Sequence, residues 1–241
     1  AHCYILKKGM EGSSSSSIDK TRYAQPALFA VEYALAELWA SLGVVPGCVM
    51  GHSVGELAAA CVAGVMTLED GMRLVEARSR LMGELEEAQA AKGIVGTMAA
   101  VNASEDRVRN VISTLSGDVS GRVSIAAVNG AEAVVVSGEA DAVSAVMNAL
   151  PVEVRRKQLT VSNGFHSHLM EPMLDAFEAV GASIRHHAPQ IAMGSNVRGT
   201  IVEVGTDGVI NGRYWRDHVR GTVLFHKALQ RIIDGGCRAF I

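Results

Sequence analysis

The sequence is poor in cysteine, poor in aromatic residues and without an excess of charge of either sign. Its four cysteines, Cys3, Cys48, Cys61 and Cys237, lie far apart, with neither zinc-ligand spacing nor the density of a disulfide framework. They read as reduced thiols of an intracellular, cytoplasmic protein, with Cys48 and Cys61 in core positions. No apolar run reaches the roughly 20 residues of a membrane-spanning helix, and no secretory signal opens the chain. A net charge of −3 and an aromatic content of 5% leave no basic stripe with interleaved aromatics, which argues against a nucleic-acid partner. His186-His187 is a poor metal pair, because adjacent side chains diverge and no carboxylate supports them. What remains is 241 residues, 49% hydrophobic and 20% charged, enough for one large domain or a domain carrying a small insert.

The stretch Cys48-Val49-Met50-Gly51-His52-Ser53-Val54-Gly55-Glu56 reads as a short buried strand, a tight turn and the start of an Ala-rich helix. This is the Gly-x-Ser-x-Gly pattern in the context its chemistry needs. The glycines let two backbones approach, the turn lifts the Ser53 hydroxyl above the sheet, and the helix start offers unpaired N–H groups to a developing negative charge. The backbone N–H of Val54 is the natural first donor of an oxyanion hole. The plain alternative is a serine in an ordinary strand-to-helix turn.

Around this elbow the pattern is α/β. A helix is predicted from Pro26 through Trp39, ending near Gly43, and another from Val54 to Ala63. Thr67 and Asp70 form a capping pair for a helix through Arg78 and Met82. Ser13 to Ser17 reads as a polar surface tract. Between Gly96 and Leu159 the rhythm becomes βαββαβ. Strands are expected at Thr97–Val101, Val123–Val128, Ala133–Ser137 and Val152–Leu159, helices at Ser104–Leu115 and Ala140–Leu150, and a hairpin signal at Asn129-Gly130. That order is ferredoxin-like. It divides the chain into a core of residues 1–96 and 160–241 and a small subdomain of residues 97–159. Afterwards come a polar loop at Ser162–Ser167, a helix at Leu169–Val180, a strand at Ile191–Asn196, a helical or irregular region at Val209–Val219, a helix at Val223–Ile233 and the start of a strand at Arg238–Ile241. The abrupt ends are expected of a fragment trimmed from a longer chain.

Two side chains are candidates to join Ser53. His166, in the loop Asn163-Gly164-Phe165-His166-Ser167, is either a general base reaching across the top of the sheet or a surface histidine. Arg78 sits among apolar residues of its helix, where an unpaired guanidinium is costly. It either pairs with a protein carboxylate, Glu56 being a candidate, or forks onto a substrate carboxylate, and the sequence alone leans to the structural pair. His52 adjoins the serine but points elsewhere, toward packing or substrate contact. His2, His168, His218 and His226 show no partner in the sequence.

From Thr21-Arg22-Tyr23-Ala24-Gln25-Pro26 onward the chain resembles the malonyl-CoA:acyl-carrier-protein transacylases, in particular the acyltransferase domains of polyketide and fatty-acid synthases. The matching stretches, in the family's order, are the Ser53 elbow, Glu76-Ala77-Arg78-Ser79-Arg80, Val128-Asn129-Gly130, Gly164-Phe165-His166-Ser167, Ser195-Asn196-Val197 and Tyr214-Trp215-Arg216-Asp217-His218-Val219-Arg220. The resemblance implies an α/β-hydrolase-like core with a parallel sheet and an inserted ferredoxin-like subdomain. It makes Ser53 the acylated nucleophile, His166 its base, oriented by a backbone carbonyl, and Arg78 the holder of the extender unit's carboxylate. Gln25, His52, Asn163, Phe165 and Asn196 are the implied pocket residues. The implied substrate is malonyl-CoA and the acceptor the phosphopantetheine of an acyl carrier protein, with neighbouring synthase domains as further partners and no bound cofactor or metal. The family's opening strand and Gly-Gln-Gly turn, which supply a second oxyanion donor, are not in this sequence.

Asn163-Gly164-Phe165-His166 matches neither of the family's usual signatures, His-Ala-Phe-His for malonyl and Tyr-Ala-Ser-His for methylmalonyl selection. Phe165 and Val54 agree with the malonyl form, so malonyl is expected over methylmalonyl. A serine thioesterase or other hydrolase on a similar core is the rival enzyme reading, and it calls for a carboxylate behind the histidine. A non-catalytic docking module for a carrier protein is the rival outside enzymes.

Overall fold

The computed structural model describes residues 18, 20–161 and 163–241. The serine tract, the weakly patterned first ten residues with His2 and Cys3, and Ser162 of the polar loop lie outside them. The elbow folds as read. β1 (Cys48–Met50) buries Val49 and Met50, and α2 (Gly55–Val62) follows with every residue from Gly55 to Cys61 buried. Two long helices flank α2, namely α1 (Thr21–Ser41) and α3 (Leu68–Ala91). α1 starts a full turn before the expected Pro26, because Thr21 and Gln25 are buried and hold that turn against α3. Thr67 caps α3, its Oγ1 accepting from the Asp70 N–H at 3.1 Å.

The chain then builds a four-stranded sheet from β2 (Gly96–Val101), β3 (Val123–Gly130), β4 (Ala133–Glu139) and β5 (Arg156–Gln158), ordered β3-β4-β2-β5 and antiparallel throughout. With α4 (Glu105–Thr114), a short α5 (Gly117–Ser120) and α6 (Ala140–Ala149) this is the ferredoxin-like unit, and Ser104 caps α4 as the sequence implies. Alternation along the strands sends Ala99, Val101, Val134 and Val136 to the helix side and Met98 and Val135 to the other. A bulge between Ile125 and Ala127 places Ala126 and Ala127 on that second face. Two expectations shift here. The hairpin turn falls at Ala131-Glu132, since Gly130 already pairs with Ala133, and Asn129 is thereby freed for another contact. The last strand shrinks to Arg156–Gln158 because Pro151 starts a turn.

After the His166 loop, residues His168–Met173 form a 3-10 turn before α7 (Leu174–Ala182), with Pro172 interrupting the single helix expected there. β6 (Ala192–Ser195) pairs parallel with β1 and antiparallel with β7 (Thr200–Val202), giving the core sheet the order β1-β6-β7. β7 was not expected from the sequence. α8 (Gly212–Arg220) and α9 (Phe225–Asp234) follow. Arg238–Ile241 carries no strand, so the final expected element is not present. One apolar cluster joins α1, α2, α3, α7 and α8, with Leu57, Leu74, Phe177 and Trp215 inaccessible to solvent. Phe165 packs against this cluster and also against the inner face of the four-stranded sheet, so it sits where the two meet.

Candidate active site

Gly51 and Gly55 touch so closely that a Cβ on Gly51 would lie 2.0 Å from the Gly55 carbonyl carbon, inside any permitted contact. Only glycine allows the strand to turn directly into α2, and the turn sets Ser53 at φ 51°. His166 stands at φ 56°, and these two are the only non-glycine residues with positive φ among those described. The His166 loop is pinned from within. Ser167 Oγ donates to the Gly164 carbonyl at 2.5 Å, and Asn163 Oδ1 accepts from the Gly164 N–H at 2.7 Å. The loop also lies hard on the start of β2, where a Cβ on Gly96 would meet the Gly164 nitrogen at 2.4 Å.

These turns bring three side chains together. Ser53 Oγ is 2.8 Å from His166 Nε2, and Arg78 Nη2 donates to the same oxygen at 3.0 Å. His166 Nδ1 donates to the Gly221 carbonyl at 3.0 Å, which fixes Nε2 as the free acceptor facing the serine. The third member behind the histidine is therefore a backbone carbonyl and not the carboxylate a thioesterase reading calls for. Burial, helped by the Arg78 charge and by His52, pushes the imidazole down from 6.5 to about 3, so it is neutral and able to accept a proton. The Val54 N–H, first in line at the start of α2, donates to no protein group among the described residues.

The expected Arg78–Glu56 pair does not form. Arg78 is 3% exposed, and its guanidinium meets Gln25 Oε1 and Ser53 Oγ, while its Nε has no partner. Burial lowers it from 12.5 to about 10, which still leaves it charged at neutral pH. Gln25 is held from the other side by a 3.1 Å contact from its Nε2 to Met82 Sδ. Glu56 faces the opposite way and is wholly buried. It accepts from the Asn196 N–H at 2.8 Å and from the Tyr214 hydroxyl, and burial lifts it from 4.5 to about 8. His218 Nε2 lies 3.7 Å from Glu56, close enough for an ion pair. Burial drives this imidazole well below 6.5 and drives the acid up, each toward its neutral form.

The remaining implied pocket residues separate by role. Asn196 clamps the elbow, with Oδ1 on the Ser53 N–H at 3.2 Å and Nδ2 on the Gly51 carbonyl at 2.8 Å. Both ends of its amide are thus spent on backbone. His52 Nε2 bonds Asn129 Oδ1 at 2.8 Å and its ring lies 5.2 Å from that of Phe225, tying the elbow to the end of β3. Asn163 is buried at the β2 contact with its Nδ2 unpartnered, while Phe165 lies at the junction described above. Sequence reasoning missed Gly221, since a carbonyl leaves no residue signature, and the Tyr214–Glu56 contact, which spans 158 residues. His168, without a partner in the sequence, meets Glu139 at 3.2 Å. Among the described residues no group of three or more His, Cys, Asp or Glu is placed to hold a metal ion.

The family described as acyl transferase domain matches residues 6–241. The polyketide synthase GfsA of Streptomyces halstedii is 45% identical over 96% of this chain, and the mycoketide-CoA synthase of Mycobacterium tuberculosis is 46% identical over 98%. The chain spans only 3% and 5% of those two proteins. Among solved structures, the acyltransferase domain from the second module of the salinomycin polyketide synthase is 43% identical, with a TM-score of 0.83 over 93% of this chain and 50% of that one. A malonyl CoA-acyl carrier protein transacylase from Clostridium perfringens is 28% identical, with a TM-score of 0.80 over 91% of this chain and 67% of that one.

Proposed function

The chain belongs to the acyl transferase domain family, and from that premise we propose that it moves a malonyl unit from coenzyme A to the phosphopantetheine thiol of an acyl carrier protein. Ser53 is the nucleophile. Its Oγ attacks the thioester carbonyl as its proton passes to His166 Nε2, and the tetrahedral oxyanion is met by the Val54 N–H. Collapse breaks the carbon–sulfur bond, and His166 returns the proton to the departing coenzyme A thiol. The carrier's thiol then gives His166 its proton, attacks the seryl ester and leaves with the malonyl group, restoring Ser53. Side chains and the two thiols account for every proton in both half-reactions.

The observation that carries this reading is Arg78. A buried guanidinium that touches the nucleophile and meets no carboxylate among the described residues is one negative charge short. An acyl group with its own carboxylate supplies that charge at the reacting end of the substrate. Phe165, at the junction of core and small sheet, supports malonyl over methylmalonyl. A ring near the acyl C2 occupies the room a methyl group needs, a difference worth about 10- to 200-fold.

The test is the kcat/KM of Ser53 acylation from malonyl-, methylmalonyl- and acetyl-CoA, read by intact-protein mass. Arg78→Ala is expected to lose malonyl loading and to keep or gain acetyl loading, reversing a discrimination of about ten- to a hundredfold. An equal loss for both acyl groups makes Arg78 structural and removes the main support for a dicarboxylic substrate.

A further inference from the structure

The backbone carbonyl that orients His166 belongs to neither wall of the cleft alone. Gly221 stands where α8 ends, and the next three residues run alongside β3. Thr222 Oγ1 donates to the Ile125 carbonyl at 2.7 Å, the Val223 N–H to the Ala126 carbonyl at 2.8 Å, and the Val128 N–H returns to the Val223 carbonyl at 2.9 Å. Ala127 and Val223 pair as parallel strand residues, so this segment is a fifth, one-bridge edge of the four-stranded sheet. Its far end is anchored to the core, where the Leu224 N–H donates to the Asn196 carbonyl at 2.9 Å. Side-chain packing does not fix Gly221 from every side. A cavity of about 310 Å³ is lined by Gly221, Thr222 and His166 together with Val123, Ser124 and Ile125.

We propose that Thr222 is a positioning residue, and that the hydrogen bonds of Thr222 and Val223 to the bulged part of β3 hold the Gly221 carbonyl where it selects the working tautomer of His166. The small sheet thereby acts on the base as well as walling the cleft. Because of the cavity, hydrogen bonds set the depth of the Gly221 carbonyl, and Thr222 makes the one side-chain bond among those to β3. The bulge at Ile125–Ala127 then has a use, since it turns successive carbonyls of β3 toward the incoming segment. The catalytic part of this inference rests on His166 being the base in acyl transfer.

The test compares Thr222→Val, which keeps the shape and removes the donor, with Thr222→Ser, which keeps the donor, in the full chain. Two measurements are made. The first is the 15N chemical shifts of the His166 ring, assigned by loss of the signal in His166→Gln, which report the tautomer with no substrate present. The second is kcat and KM for Ser53 acylation from malonyl-CoA. The expected result is a rise in the Nε2–H tautomer and a fall of about three- to tenfold in kcat at unchanged KM for the valine variant, the worth of one neutral hydrogen bond. Recovery of both is expected in the serine variant. Ring shifts in Thr222→Val identical to the parent overturn the proposal, as does a kcat loss that Thr222→Ser shares. If the parent protein fails to load malonyl, the acyl-transfer reading falls, while the ring shifts still decide whether Thr222 governs the tautomer.

Discussion

Ser53 Oγ lies between two nitrogens of opposite use. In the proposed reaction His166 Nε2 takes its proton, and Arg78 Nη2 donates toward the oxygen that is left. Burial above all, with the nearby arginine adding to it, makes the histidine a weaker cation and brings the imidazole down to about 3, while the same arginine makes the serine oxygen a better anion. The base is thus already neutral at mildly acid pH. Loading of Ser53 is expected to stay flat between about pH 5.5 and 8, where an ordinary histidine near 6.5 would impose a decline on the acid side. Ser53→Ala should carry no malonyl adduct at any pH, and His166→Ala should load at least about a hundredfold more slowly. Stability follows a different course. His166 and His218 are both held below 6.5 in the folded protein, so the unfolded chain takes up more protons as the pH drops through 6.5. On the acid side these two histidines weigh against the folded state and the raised acids Glu56 and Glu32 weigh for it, whereas a loading rate that tracks an apparent pKa near 6.5 would contradict the buried, neutral base.

At the scale of elements, α2 serves the site through both faces. Its start presents the Val54 N–H, and its buried Glu56 fixes Asn196, whose amide clamps Gly51 and Ser53. Glu56 rises from 4.5 to about 8 through burial, so the folded state favours the neutral acid. Its contribution to stability is complete below about 4.5 and is lost as the pH climbs through about 8. Glu32, against Gly55 on the α1 side and lifted to about 7, works in the same direction. Glu56→Gln mimics the protonated acid, so as the pH rises from about 5 to 8 the variant should lose less melting temperature than the parent. A parallel decline in the two proteins would show that Glu56 is ionised throughout. The elbow itself was legible, because glycine spacing, an apolar strand and an Ala-rich helix are local signals. Glu56 was misread for a physical reason. A helix periodicity gives the face a side chain occupies, whereas the partner comes from β6 and α8, more than a hundred residues away.

Across the whole molecule, the α/β core and the βαββαβ unit could be read from alternation and capping residues such as Ser104 and Thr67. The three-residue β7 and the edge at Val223 could not, since single hydrogen-bonded bridges leave no pattern. Arg216 and Arg220 show a similar limit. Arg216 meets Asp175 and Glu178, and Arg220 meets Glu171, partners 38 residues or more away that no local pattern shows. No helix among the described residues is long and apolar enough to cross a membrane. Arg78 has a last consequence that concerns the fold as much as the reaction. Its buried guanidinium lies against Gln25 and Ser53 and meets no carboxylate among the described residues. On the proposed reading a small dicarboxylate pairs with it in the folded state and binds the unfolded chain far less. Free malonate at a hundred times its dissociation constant should stabilise the protein by about 2.7 kcal/mol, visible as a rise in melting temperature. Acetate should give less, and Arg78→Ala should erase the difference. On that reading the occupied domain is the more stable one, so the substrate that the cleft awaits also protects the fold.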